Sequence, residues 1–233
     1  MREKIPQSPA FKEKLQISKF DKHPNNPNLF EFASQDFVVR KVPSLEYLYR
    51  SETVPTIEEA AQELKGLFDE LKNSYGIYTP LKFVIAEDEV GKPSIFIFTE
   101  KVKKVDDGVF DYSGYLDIIV SLTNYLKDKY LNDTKFLFDL SYSIREQFVF
   151  GTVNDNPVPK WYLIDTDPDF VRLSKLDLEE GNMFIEFAES LVNEIEWLEN
   201  ECGQDLNVER KKLEDFIKTM ESDWENRFGD MVN

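Results

Sequence analysis

Hydrophobic and polar positions along this chain follow two periodicities, one of two residues and one near 3.6, and the switches between them mark the predicted elements. Residues 1 to 14 are polar and read as loosely attached. Leu15-Gln16-Ile17-Ser18-Lys19-Phe20 then alternates like a half-buried strand, and His23-Pro24-Asn25-Asn26-Pro27-Asn28 reads as a turn. Residues 29 to 32 and 36 to 42 give two further strands, the second rich in β-branched residues and halted by Pro43. Thr56-Ile57-Glu58-Glu59 has the spacing of a capping box. The helix it opens carries Ile57, Ala60, Ala61, Leu64, Leu67, Phe68 and Leu71 on one stripe, and Gly76 can close it. Residues 82 to 86 and 94 to 99 read as a hairpin about Gly91.

The pattern then turns helical from 112 to 130, with Tyr115, Ile118, Ile119, Leu122, Tyr125 and Leu126 on one side. Phe136-Leu137-Phe138 is a short apolar run, and residues 147 to 150 and 161 to 164 flank the turn Asn154-Asp155-Asn156-Pro157 as a second hairpin. Two helices follow. One uses Phe184, Phe187, Leu191, Ile195 and Leu198 and stops near Gly203; the other uses Leu213, Phe216, Ile217, Met220 and Trp224. They are expected to lie antiparallel over 178 to 228, apolar stripes inward and carboxylates in water. The order of elements predicts an α+β fold in two lobes: a small antiparallel sheet plus one helix over residues 1–105, and a mainly helical lobe with a β-hairpin over 106–233.

Composition narrows the chemistry. With 41% hydrophobic and 14% aromatic residues in 233, the chain can bury a full core without a metal or disulfide staple. Its 28 basic and 45 acidic side chains give a net charge of -17, which repels phosphate backbones and anionic bilayers, so neither nucleic acid nor membrane is an expected partner. Residues 177 to 233 hold 17 acidic against 5 basic side chains. That bias serves as a solvated helical face, and it also favours a basic protein as partner.

Cys202 is the sole cysteine, which forbids an intrachain disulfide and fits a reducing compartment. The N-terminal residues lack the apolar run of a secretory signal, and no segment approaches the ~18 uncharged residues of a membrane helix, so a cytoplasmic protein is expected. The sole histidine, His23, sits in the turn-rich stretch, so no histidine relay can form around a structured imidazole, and zinc sites of Cys and His are excluded by count.

Chemistry would therefore fall to carboxylates, Lys, Arg or a hard metal held through oxygen. The notable cluster is Leu163-Ile164-Asp165-Thr166-Asp167-Pro168-Asp169, where an apolar strand delivers Asp165 and Asp167 at its exit in a way that suits Mg²⁺. Asp and Pro are equally the ordinary residues of a strand exit.

The order of elements, with these residues, resembles the protein-kinase-like superfamily, and within it the aminoglycoside and choline phosphotransferase branch. The resemblance spans about residues 15 to 170. Val38-Val39-Arg40-Lys41 looks like the strand whose base grips nucleotide phosphates, with Arg40 and Lys41 both open as the counterpart. The next helix would supply Glu59 or Glu63 as its ion-pair partner. Residues 97 to 102 are similar to the hinge between lobes. Asp139-Leu140 followed by Gln147-Phe148-Val149-Phe150 resembles the catalytic loop and its strand, and Ile164-Asp165 resembles the strand and metal-binding aspartate. The resemblance thus implies Asp139 as catalytic base, Arg40, Lys41, Glu63 and Gln147 toward nucleotide, and Asp165 and Asp167 toward metal.

The departures are specific. No glycine occurs between Met1 and Ser51, so the glycine-rich phosphate loop is missing. Phe138 stands where His or Tyr precedes the catalytic aspartate, Gln147 replaces the second-metal asparagine at a longer spacing, and Thr166-Asp167 replaces Phe-Gly. Each residue also has a purely structural reading. Arg40 and Lys41 protect a strand edge, Glu59 closes the capping box, Glu63 is a solvated helix position, Asp139 caps a turn and Gln147 is a strand-edge amide. The expectation is a catalytically weak or inactive kinase-like protein that acts by binding a protein partner, without a bound cofactor. The alternatives are an active small-molecule phosphotransferase using Mg²⁺ and ATP, and an unrelated α+β domain with no catalytic site.

Overall fold

The computed structural model describes residues 21–23, 26–31, 37–42, 56–89, 92–105, 110–132, 136–138, 143–154, 156–164, 171–173 and 178–229. The chain is α+β. Strands β1 (Asp21–His23), β2 (Asn26–Glu31), β3 (Phe37–Lys41), β4 (Leu81–Glu89) and β5 (Lys92–Glu100) form a five-stranded antiparallel sheet in the order β1-β2-β3-β5-β4. The strand read over 15–20 lies outside the described residues. The turn read over 23–28 is corrected: His23 ends β1 and Asn26 already begins β2. The pairing steps from Lys22↔Phe30 to His23↔Asn26, and this register shift leaves Pro27, which has no N–H to donate, opposite no residue of β1.

Helix α1 (Ile57–Tyr75) forms where the capping box predicts it. Thr56 N–H and hydroxyl donate to the Glu59 carboxylate at 3.0 and 2.9 Å, and the Glu59 amide donates to Thr56 Oγ1 at 3.3 Å. Gly76 ends it at φ 69°, a left-handed conformation that glycine adopts without a Cβ penalty. Ala60, Ala61, Leu64 and Phe68 of its buried face join Val42, Ile95 and Ile97 from the sheet in one core cluster.

The same core continues through α2 (Tyr112–Leu131), α3 (Leu178–Cys202) and α4 (Asn207–Phe228). Each large side chain buried in it contributes about 1.5–3 kcal/mol. Helices α3 and α4 are joined by residues 203–206, with Gly203 at φ 64°. Arg210 reaches Glu196 and Glu199 near the connection, which sets the pair antiparallel as the sequence predicts.

Three pairings complete the architecture. Strands β8 (Phe148–Val153) and β9 (Asn156–Leu163) form the second predicted hairpin. Strand β6 (Lys103–Lys104) pairs with β8, and β7 (Phe136–Phe138) pairs with β10 (Val171–Leu173). Lys103 and Lys104, near the end of the first predicted lobe, are thereby tied into the hairpin's sheet. Among the described residues, no helix is long and apolar enough to cross a membrane.

Candidate functional site

In an antiparallel ladder, directly opposed residues share a face, so Arg40, opposite Ile97, lies on the face that packs against α1. Its neighbour Lys41 must point the other way, and its ammonium lies 5.9 Å from the Phe96 ring centroid. Arg40 Nη2 donates to the Ile164 carbonyl at 3.3 Å, a contact between residues 124 apart in sequence. Of the two candidate bases, Arg40 is the one brought to the exit of β9.

Ile164 is held from a second direction, since its amide donates to the Gln147 carbonyl at 2.9 Å. Gln147 ends a one-turn 3-10 helix, Ile144–Gln147, and is buried. Arg40, Gln147 and Ile164 therefore meet at one seam. Glu59 is engaged in the capping box and Glu63 is exposed on α1. Asp139, Asp165 and Asp167 lie outside the described residues. Among the described residues no group of three or more His, Cys, Asp or Glu is placed to hold a metal ion.

Strands β1 and β2 are consecutive and antiparallel. Only Pro24 and Asn25 separate the strands, and His23 and Asn26 are themselves paired. Pro24 and Asn25 lie outside the described residues.

Family models, curated proteins and solved structures yield no match to this chain.

The geometry also brings forward groups that sequence reasoning passed over. Glu194 is 5% exposed, accepts hydrogen bonds from Tyr115 at 3.0 Å and Ser143 at 3.3 Å, and pairs with Arg145 at 3.5 Å. Arg145 stacks on Trp197 at 3.9 Å. Burial, then the charge of Glu194 and its hydrogen bond, push the Tyr115 phenol well above its ordinary pKa, against a smaller opposing effect of Arg145. The signal was available: Glu194 lies between Leu191 and Leu198 on the apolar stripe, where a carboxylate must find partners. Lys129, buried at the end of the α2 stripe, is likewise paired with Glu70 at 2.7 Å.

Proposed function

We propose that this chain is a kinase-like protein that works by binding a basic protein partner and does not transfer phosphate. The observation that carries the kinase-like part is the bond from Arg40 to Ile164, which joins the basic residue of the third strand to the residue preceding Asp165. Arg40 already donates one guanidinium N–H to a backbone carbonyl, and no glycine precedes Ser51, which together argue against a phosphate site.

The partner part rests on α3 and α4. Between them runs a groove of about 510 Å³, floored by Val192 and Ile217 and edged by Glu189, Glu214 and Glu221. Lys218, the one ammonium lining it among the described residues, already pairs with Asp215 at 3.1 Å. An amphipathic helix with lysines beside its apolar stripe complements that arrangement.

Calorimetric titration of the protein with Mg·ATP, alongside Asp165→Ala, tests the first part. We expect a dissociation constant of the order of millimolar or weaker, no more than about 4 kcal/mol of binding, in both proteins. Micromolar binding abolished by D165A would put an active phosphotransferase in place of this reading. The second part is probed with a leucine- and lysine-rich helical peptide. Binding should weaken as salt rises to ~0.15 M and fall about tenfold with Glu214→Lys and Glu221→Lys together. Equal loss on reversing Glu58, on the far helix α1, would reject the groove.

A further inference from the structure

A second concavity lies on the seam between the end of α1, the segment leading into β4, and the β8–β9 hairpin. It encloses about 230 Å³ and is lined by Lys72, Tyr78, Glu100, Asn156, Lys160 and Tyr162, with apolar walls from neighbouring residues. Its size is below the ~300 Å³ at which drug-sized sites begin, which restricts any occupant to a few non-hydrogen atoms.

Tyr162 is 4% exposed; Asn156 approaches its phenolic oxygen as a donor, and its hydroxyl proton has no acceptor among the described residues. A buried hydroxyl proton without an acceptor costs about 1–3 kcal/mol, so an acceptor from outside the chain would relieve a real penalty. The groups that act on this phenol besides burial are Asn156, through a hydrogen bond, and Glu100 and Tyr78, and all three line the concavity together with Tyr162. Burial holds the phenol above its ordinary pKa, with Glu100 and Tyr78 adding to the effect and Asn156 opposing it. At neutral pH the group is a hydrogen-bond donor in want of an acceptor.

The charges name the acceptor. Lys160 makes a cation–π contact with Tyr78, at 4.0 Å, and neither it nor Lys72 forms an ion pair among the described residues. The third charge is the Glu100 carboxylate, which accepts a hydrogen bond from the Asn154 amide. Two ammonium groups against one carboxylate leave room for a single negative charge, whereas a doubly charged phosphate would meet the buried Glu100.

We propose that this concavity is a binding site for a short organic monocarboxylate, whose oxygens accept from the Tyr162 hydroxyl and the ammonium groups of Lys72 and Lys160. The site goes beyond the partner-binding reading and does not depend on it.

The test is a titration of the ¹⁵N-labelled protein with sodium lactate at constant ionic strength, following the amides of Glu100, Tyr162 and Leu163. Inorganic phosphate and sodium chloride serve as comparison anions. We expect saturable shifts with lactate, weakened about tenfold in Tyr162→Phe and in Lys160→Gln. Ligand-free Tyr162→Phe should melt at or above the temperature of the parent, because the hydroxyl proton it loses has no acceptor among the described residues. The proposal fails if lactate gives no saturable shift up to ~50 mM, if phosphate binds in preference, if Tyr162→Phe binds lactate unchanged, or if that variant is destabilised when ligand-free.

Discussion

Glu194 shows how one buried carboxylate organises its surroundings. Tyr115, Ser143 and Arg145 come from three parts of the chain and meet on it, so removing one leaves the charge with two remaining partners. Tyr115→Phe should therefore cost about 1.5–3 kcal/mol, the range for a hydrogen bond to a charged group. The pH dependence carries a sign. The phenol is raised in the folded state, so its contribution is fully present below about pH 10, where an unfolded tyrosine titrates, and is lost as pH rises toward the higher folded value. Denaturation midpoints followed from pH 8 to 11 should fall less steeply above ~10 in the variant; an unchanged slope would detach Tyr115 from Glu194. The sequence announced that Glu194 sits on an apolar stripe but not who would answer it. Ser143 and Arg145 lie far away along the chain and bear no periodic mark.

At the scale of elements, local signals were read well wherever one short stretch held the whole instruction. The capping box at Thr56 and Glu59, the left-handed glycines 76 and 203 and the two hairpins each depend on residues close in sequence. The pairings of β6 with β8 and of β7 with β10 were missed, because a two- or three-residue strand has too few positions to show a period. One signal for the first did exist in Gly151, a glycine inside a strand. A Cβ there would strike the Lys103 carbonyl oxygen and come within 2.7 Å of Val102 Cγ1. We expect Gly151→Ala to lose about 1–3 kcal/mol in chemical denaturation. Gly66→Ala, inside α1 with nothing within 4 Å, should instead gain about 0.5–1 kcal/mol. Equal behaviour of the two would mean that β6 does not press on β8.

For the molecule as a whole, the sequence yielded the α+β class and the acidic helical end but not the seam. The contact of Arg40 with Ile164 could not be read from any window of the chain, and neither could the choice of Arg40 over Lys41, which the face-alternation of β3 makes only once its neighbours are known. The seam is fastened at several points. The Leu163 amide donates to the Tyr78 carbonyl at 2.8 Å, the Asn154 amide to the Glu100 carboxylate, Lys129 to Glu70 at 2.7 Å, and Tyr75 to Asp128. A sheet so fastened cannot swing against the helices like a jaw on a hinge, because any opening would have to break these links together with the core they enclose. The Leu163 amide should then exchange with deuterium only as fast as the entire protein unfolds, sharing the denaturant dependence of amides deep in α2 and α3. Exchange of Leu163 through a smaller, denaturant-independent opening would mean that the two halves breathe apart while each stays folded.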